Sequence, residues 1–241
     1  AMRGTGVDAA RARGDRRTLG VAVVGLGVGE AHARAFRAAG RCRLRWLYDL
    51  NPTRAAEVAT EVGGRVAEGY EVILADEEVD VVSIASYDDA HAVQVVAALE
   101  AGKHVFVEKP LARSITELRD IKRAWEASGG VHLASNLVLR AAPVFCWLRD
   151  AIADGRFGEV YAIDGDYLYG RIHKITDGWR GHVDRYSVMQ GGGVHLVDLM
   201  LLLAREKPGS VAAAGNRICT AGTDFRYDDY VAAMFRFPSG M

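Results

Sequence analysis

The sequence predicts an α/β protein: a parallel sheet in the N-terminal half, followed by an α+β domain with a mostly antiparallel, open sheet. Three observations carry this prediction. Short apolar runs alternate with helical patterns as far as about residue 138, which is typical of repeated βαβ units. The first apolar run, residues 19–24, ends in a glycine-rich turn. After Pro143 the alternation of strand and helix stops, and residues 160–169 alternate in polarity like an antiparallel strand with one buried face.

Composition excludes several classes of protein. The 241 residues are 50% hydrophobic and carry a formal net charge of −1, which gives no reason to expect a nucleic-acid partner. Three widely separated cysteines offer neither a disulfide framework nor a metal-binding spacing, which favours a reducing, cytoplasmic location. The longest apolar run, residues 196–204, contains Asp198 and is too short to span a bilayer.

The chain divides into three predicted regions. Residues 1–17 are rich in Arg, Ala and Gly and form a disordered lead, residues 18–138 form the domain with the parallel sheet, and residues 139–241 form an incomplete second domain. Predicted strands of the first domain occupy residues 19–24, 44–48, 66–67, 79–85, 105–107 and 131–135. Its predicted helices cover residues 30–39, 52–62 and 89–101, and a fourth begins at residue 115 after a capping box.

The second domain is predicted to begin with a helix over residues 143–153. The antiparallel strand at residues 160–169 and a long polar loop, residues 170–193, lead to an apolar helix over residues 194–204. Strands follow near residues 211–217 and 231–237. The last four residues look like the tip of a hairpin, so we expect the natural protein to continue beyond them.

The glycine-rich turn is the first candidate binding element. It lets backbone N–H groups and a helix N-terminus approach a pyrophosphate, although its third glycine is displaced and a purely structural turn is the alternative. Asp49 ends the second strand, where a carboxylate would bind ribose hydroxyls and repel a 2′-phosphate, unless it only shapes the turn before the next helix. NAD is therefore favoured over NADP. The residues of the turn are Gly25, Leu26, Gly27, Val28 and Gly29.

Loops after later strands supply further candidates, because ligands of parallel sheets bind outside the carboxyl ends of strands. Lys109 follows the buried run 105–107, and burial would bring the pKa of its amine towards neutrality; a surface lysine before a turn is the alternative. Pro110 makes a cis peptide bond accessible here. Other candidates for cofactor contacts are Ser86, Tyr87, His91, Glu108 and Asn136, of which His91 fits packing on the following helix better than chemistry.

Gln190-Gly191-Gly192-Gly193-Val194-His195 precedes the apolar helix of the second domain. His195 near the helix start can exchange a proton at neutral pH. Asp198 lies three residues further along the same helical face, so a core histidine hydrogen-bonded to Asp198 is the alternative. Arg171, Trp179 and Arg180, from the long polar loop, are candidate substrate contacts together with Gln190, unless the loop is an ordinary one.

These motifs together resemble the Gfo/Idh/MocA oxidoreductases, a family that includes glucose–fructose oxidoreductase and inositol dehydrogenase. The resemblance runs from about residue 19 to residue 241 and is most specific over residues 91–111, which end in Glu108-Lys109-Pro110-Leu111. It implies a Rossmann domain joined to a domain built on a mostly antiparallel sheet. It also implies that Lys109 contacts both nicotinamide and the substrate hydroxyl, and that His195 is a catalytic or substrate-binding histidine.

One position departs from the family. Many members carry an aspartate four residues before the histidine, where this chain has Gly191. Asp184, Tyr186 and Gln190 are the residues that could replace its function, and Tyr186 is taken as the third catalytic residue beside Lys109 and His195. The resemblance also implies that about another hundred residues follow, which agrees with the expectation drawn from the open hairpin.

The resemblance implies an NAD-dependent oxidoreductase acting on a secondary hydroxyl or keto group of a sugar, nucleotide-sugar or cyclitol. Two alternatives remain: an NAD-using glycosidase or lyase of the same fold, and a cofactor-binding regulator without activity. Neither a metal, a nucleic acid nor a membrane is expected as a partner. The alternating residues Tyr161, Ile163, Tyr167 and Tyr169 predict an apolar sheet face, and therefore a homodimer or homotetramer.

Overall fold

The structure is a computed structural model that describes residues 18–184 and 186–241. The predicted disordered lead, residues 1–17, lies outside the described residues. The α/β class is confirmed: the first part of the chain forms a six-stranded parallel sheet in the order β3-β2-β1-β4-β5-β6, and the later part forms a separate antiparallel pair, β7-β8.

The parallel sheet and its helices follow the predicted order closely. Its strands are β1 (Leu19–Val24), β2 (Cys42–Tyr48), β3 (Arg65–Val66), β4 (Val81–Ile84), β5 (His104–Val107) and β6 (Leu133–Ser135). The helices between them are α1 (Gly29–Ala38), α2 (Pro52–Val62), α3 (Tyr70–Ala75), α4 (His91–Glu100) and α5 (Ile115–Ala127).

Apolar β1 residues place this strand at the centre of the sheet. Val21 and Val23 are fully buried and pack with Leu47 of β2 and Val58 of α2. The start of α2 is fixed by its own sequence, because Asn51 Oδ1 accepts hydrogen bonds from Thr53 N at 3.0 Å and Arg54 N at 3.2 Å, and Pro52 takes the first helical position. The carboxyl ends of β1 and β2 are thus rigidly positioned.

Helix α3 is absent from the sequence prediction. Its six residues are too few for a helical periodicity to stand out from a loop. The carboxylate of Asp76, directly after it, accepts hydrogen bonds from the Arg45 guanidinium at 2.9 and 3.0 Å and from Trp46 Nε1 at 2.7 Å. These bonds to two β2 side chains fix the end of the helix, and they are tertiary contacts that no local pattern reveals.

The described chain separates into two compact units that interleave along the sequence. One unit contains the residues up to Ser86 together with residues 94–106 and 124–133, and the other contains residues 87–93, 107–123 and 134–241. The loops that follow β4 and β5 therefore belong to the same unit as the C-terminal part of the chain. The boundary at residue 138 stays a prediction.

The second unit contains the remaining elements. They are α6 (Pro143–Ala153), α7 (His173–Thr176), α8 (Val194–Ala204), β7 (Ser210–Asn216) and β8 (Tyr230–Arg236). β7 and β8 pair antiparallel from Ser210 opposite Arg236 to Asn216 opposite Tyr230. A π-helical turn, Met189–Gly193, runs directly into α8, so the residues that were predicted as the end of a loop are already wound.

The antiparallel strand predicted at residues 160–169 is wrong. The segment has no strand hydrogen bonds in the described chain, and its side chains do not alternate between buried and exposed: Tyr161 is 85% exposed and Leu168 89%. Alternating polarity predicts a strand only where a neighbouring strand supplies the hydrogen bonds. The sheet of the second unit accordingly has two strands instead of a broad open face.

Candidate functional site

The glycine-rich turn after β1 is closed too tightly for larger side chains. Gly25 has a φ of 81°, and a Cβ there would lie 2.5 Å from both Ala85 O and Ser86 N. A Cβ at Gly29 would meet Val23 and Ala85 at 3.1 and 3.2 Å, so Gly29 allows the close helix–strand packing of the displaced third glycine. Gly27, in contrast, faces open space. The turn therefore combines a sterically required glycine, Gly25, with a closely packed one, Gly29, and an unobstructed one, Gly27.

Asp49 shapes this turn from the end of β2. Its Oδ2 accepts a hydrogen bond from Leu26 N at 2.6 Å and its Oδ1 accepts one from Asn51 N at 2.8 Å. Asp49 therefore shapes the turn before the next helix, which is the alternative role considered for it. It is compatible with ribose binding, because each carboxylate oxygen accepts more than one hydrogen bond.

Arg54 is a neighbour that the sequence reasoning missed. Its Nε donates to Leu26 O at 3.2 Å, and its guanidinium is paired with Glu30 at the start of α1. The available signal was its position in the first turn of α2, directly after the Asn51 cap. The ion pair with Glu30 compensates the positive charge of Arg54, which would otherwise attract an additional phosphate group.

The candidate residues in the loop after β4 contact different partners. Ser86 Oγ hydrogen-bonds Gln94 Oε1 at 2.6 Å, and the Tyr87 ring lies 4.9 Å from that of Trp179. His91 is fully buried, and its Nδ1 lies 2.8 Å from the carbonyl oxygen of Pro110. His91 therefore supports the turn that follows Lys109.

Lys109 lies directly beyond β5, and its peptide bond with Pro110 is cis. Its Nζ donates a hydrogen bond to the carbonyl oxygen of Gly191 at 3.0 Å. The preceding Glu108 is held by Asn136, whose Nδ2 donates to Glu108 Oε1 at 2.6 Å. The lysine amine is thus aimed at the glycine-rich π turn of the second unit.

The charge of Lys109 is disfavoured by its surroundings. Burial lowers the pKa of the Lys109 amine, and the nearby Arg180 acts in the same direction, while Asp88 opposes both. Asp88 is itself buried, with 7% of its surface exposed, and burial raises the pKa of its carboxyl above the ordinary value. An amine with a lowered pKa can accept a proton at a pH where an ordinary lysine is fully charged.

Tyr186 occupies the space beside Gly191. A Cβ built on Gly191 would overlap the Tyr186 hydroxyl, and one on Gly192 would lie 2.6 Å from a ring carbon of Tyr167. Burial raises the pKa of the Tyr186 phenol, so it remains protonated at neutral pH and acts as a hydrogen-bond donor. Of the three residues considered as replacements for the missing aspartate, Tyr186 is the one that this geometry favours.

The other two replacements point to different partners. Gln190 Nε2 donates to Arg113 O at 3.0 Å, and Asp184 Oδ1 accepts from the Tyr227 hydroxyl at 3.4 Å. Both side chains are therefore engaged in holding segments of the second unit together.

His195 is buried at the start of α8, with 8% of its surface exposed. The hydrogen bond to Asp198 that was considered from the sequence is absent among the described residues. Asp198 instead binds the Arg140 guanidinium through both carboxylate oxygens, at 2.6 to 3.1 Å. His195 Nδ1 is buried without a hydrogen-bond partner in the described part of the chain, and burial, followed by the Lys109 charge, lowers the pKa of His195.

A cavity of about 420 Å³ connects several of these groups. Lys109, Tyr186 and Gly191 line it together with two predicted substrate contacts, Arg171 and Arg180. Trp179, Gln190 and His195 are not among its described lining residues. The described residues contain no cluster of three or more His, Cys, Asp or Glu side chains placed to hold a metal, and no helix long and apolar enough to cross a membrane.

Both halves of the chain match models of one family. Residues 19–135 match the oxidoreductase family with an NAD-binding Rossmann fold, and residues 145–241 match the GFO/IDH/MocA C-terminal domain. The chain therefore belongs to the GFO/IDH/MocA oxidoreductase family, which confirms the resemblance drawn from its motifs.

Three relatives illustrate the range of this family. The 1,5-anhydro-D-fructose reductase of Ensifer adhaerens is 33% identical over 206 residues, which are 81% of this chain and 58% of the reductase. The 2,7-anhydro-N-acetylneuraminate hydratase of Escherichia coli K12 is 27% identical over 229 residues, or 90% of this chain and 58% of the hydratase. The structure of levoglucosan dehydrogenase in complex with NADH and levoglucosan matches with a TM-score of 0.82 and 27% identity, covering 92% of this chain and 64% of that one. The chain thus spans less than two thirds of each relative.

We predict that Lys109→Met raises the pKa of His195, because it removes a positive charge that disfavours protonation of the imidazole. Burial remains, so the pKa stays below its ordinary value. The unfolded chain binds this proton at a higher pH than the folded chain does. The contribution of His195 to stability therefore decreases as the pH falls through the ordinary pKa of histidine, and we expect a smaller decrease in Lys109→Met. The measurement is an NMR titration of the His195 ring, with the exposed Lys207→Met as control. An unchanged His195 pKa in Lys109→Met contradicts the proximity of the two groups.

Proposed function

We propose that the protein is an NAD-dependent oxidoreductase that transfers hydride between the cofactor and a secondary hydroxyl or keto group of a sugar-like substrate. The observation that carries this proposal is that Lys109 and Tyr186 line one cavity of about 420 Å³ and both approach Gly191. Family membership and the sugar-related names of the relatives support the reaction class.

The first unit supplies groups that fit NAD. Gly25 and Gly29 keep the turn compact, Gly27 leaves space beside it, and α1 begins without a side-chain hydrogen-bonding cap. Free N–H groups at a helix start favour a pyrophosphate. In this unit Asp49 is the proposed ribose ligand and Ser86 a proposed neighbour of the cofactor. Tyr87, Glu108 and Asn136, which belong to the second unit, are also proposed as cofactor contacts. When bound, NAD takes up or releases the hydride, and the protein supplies position and electrostatics.

Lys109 and Tyr186 are the proposed partners of the reacting hydroxyl group in proton transfer and hydrogen bonding. In oxidation, the neutral Lys109 amine accepts the hydroxyl proton while the hydride leaves the same carbon, and the carbonyl product forms. The Tyr186 phenol donates a hydrogen bond to the oxygen that changes from hydroxyl to carbonyl. His195, with an unpartnered Nδ1 close enough for Lys109 to lower its pKa, is the proposed second proton carrier.

We expect Lys109→Met to slow hydride transfer by about a hundred- to ten-thousand-fold, the usual contribution of a general acid–base group, with the fold and NAD affinity retained. Tyr186→Phe keeps the ring and removes the hydroxyl, so it should slow the same step. The measurement is the single-turnover rate of NADH formation with saturating substrate, alongside the NAD dissociation constant.

Lys207→Met is the matched control for this experiment, because Lys207 is an exposed lysine on the same unit. A hydride step within about threefold of wild type in Lys109→Met, far below the expected range, would remove Lys109 from catalysis and leave His195 with Tyr186. Tight NAD binding without turnover on a broad sugar panel would favour the cofactor-binding regulator.

The name of the hydratase among the relatives favours one second candidate, the NAD-using glycosidase or lyase reaction. We propose that NAD would be used only transiently in this reaction. The same residues serve this reaction, since it also begins with removal of a hydroxyl proton. The two reactions differ in their cofactor balance: the dehydrogenase accumulates NADH in proportion to product, whereas the hydratase forms product with no net change in NADH absorbance.

We predict that NAD binds more tightly than NADP, because the negative charge of Asp49 repels a 2′-phosphate and Arg54 is already paired with Glu30. Asp49→Ser should narrow or reverse this preference. The test is the pair of dissociation constants in wild type and variant, with Asp89→Ser as a control. Tighter NADP binding by the wild type, or an unchanged preference in Asp49→Ser, contradicts the assignment.

We also propose that the protein forms a homodimer or homotetramer. Large apolar side chains remain exposed in the second unit, among them Tyr161, Leu168 and Met234 at 71% or more. Large apolar side chains left exposed to water are compatible with a subunit interface. Light scattering on the full-length protein at micromolar concentration should give a mass of two or four subunits, and a monomer overturns the proposal.

A further inference from the structure

The cavity of the second unit is lined by more cations than anions. Lys109, Arg171, Lys174 and Arg180 line it, against two carboxylates, Asp166 and Asp229. One of these carboxylates is already engaged, because Asp229 Oδ2 accepts hydrogen bonds from Thr220 N at 2.6 Å and Thr220 Oγ1 at 2.8 Å. These hydrogen bonds leave the charge of Asp229 in place, so four basic side chains face two carboxylates along the cavity lining, and the buried Asp88 interacts with Lys109 and Arg180.

Three of the four cations have no carboxylate within 4 Å in the described chain. Arg45 and Arg140, in contrast, are paired, with Asp76 at 2.9 Å and with Asp198 at 2.6 Å. Lys109 differs from the other three, because its amine is bound to the Gly191 carbonyl and serves the reacting hydroxyl.

The two arginines are positioned by aromatic rings. The Arg171 guanidinium lies 4.6 Å from the centre of the Tyr169 ring, and that of Arg180 lies 4.4 Å from the centre of the Trp179 ring. A ring below the guanidinium face contacts no N–H group in the guanidinium plane, so the planar donors remain available. Planar arginine donors match the two oxygens of a carboxylate or phosphate.

We propose that the substrate is an anionic sugar derivative, with a carboxylate or phosphate group bound by Arg171, Lys174 and Arg180 while its reacting hydroxyl lies at Lys109 and Tyr186. This inference rests on the proposed oxidoreductase function and narrows its substrate class. An anion in the cavity compensates the positive charges of Arg171, Lys174 and Arg180.

The experiment compares matched ligands that differ in charge: D-glucose, D-glucuronate and D-glucose 6-phosphate, and myo-inositol with an inositol monophosphate. Binding to the NAD-loaded protein is measured by calorimetry at low and high salt, and turnover is followed by NADH formation. We expect at least one anionic ligand to bind at least about tenfold more tightly than its neutral counterpart, and to weaken as salt rises. Comparing D-glucuronate with D-glucose 6-phosphate distinguishes a carboxylate from a phosphate as the preferred anionic group.

Charge-neutralising variants then locate the anion. Arg171→Gln and Lys174→Gln should each weaken the preferred anionic ligand by about tenfold and change its neutral counterpart by less than about twofold. Arg156→Gln is the control, because Arg156 is exposed and lies outside the cavity lining. Equal or weaker binding of every anionic ligand overturns the proposal, as does an equal loss for charged and neutral ligands in the variants.

The two proposals fail in different ways. Selective binding of an anionic sugar with no NADH and no product formed supports the charged cavity and removes the oxidoreductase function. Turnover of a neutral sugar at least as efficient as that of its anionic counterpart supports the function and removes the charge inference.

Discussion

The hydrogen bond from the Lys109 amine to the Gly191 carbonyl oxygen is the contact on which the candidate site depends. It joins the end of a buried strand to a π-helical turn at the start of α8, two segments that are 82 residues apart in sequence. Both ends are rigid for independent reasons: β5 is buried in a parallel sheet, and the turn is held by Tyr186 and Tyr167 against the two glycines. A functional group fixed in this way needs little reorganisation when a substrate arrives.

Desolvation and charge then act on this fixed amine together. Burial lowers the pKa of Lys109, while Asp88 limits the decrease and Arg180 adds to it. The same burial raises the pKa of the Tyr186 phenol and lowers that of His195. The three groups are thus all driven towards their neutral forms, in which the amine and the imidazole can accept a proton and the phenol can donate a hydrogen bond.

The sequence predicts the parts of this arrangement that local patterns encode. β1, α6 and α8 agree with their predicted bounds, because continuous apolar runs and a proline at a helix start are strong local signals. Helix α3 and the pairing of Arg140 with Asp198 escaped prediction, since both depend on residues far away in the chain. The prediction of a strand at residues 160–169 was wrong, because the alternating pattern is local whereas a strand also needs a hydrogen-bonded partner strand. Within the site, Lys109 and Tyr186 could be named from sequence, whereas the contact of the Tyr186 hydroxyl with Gly191 depends on the folding of the chain around the π-helical turn and could not.

The contact between Tyr186 and Gly191 also constrains how this site can change over evolutionary time. Any side chain at position 191 would meet the tyrosine hydroxyl, so it requires either a shift of the Tyr186 side chain or a smaller residue at position 186. The effect of a substitution at either position therefore depends on the residue at the other. A lineage in which position 191 gains a side chain is accordingly expected to move or replace the tyrosine as well.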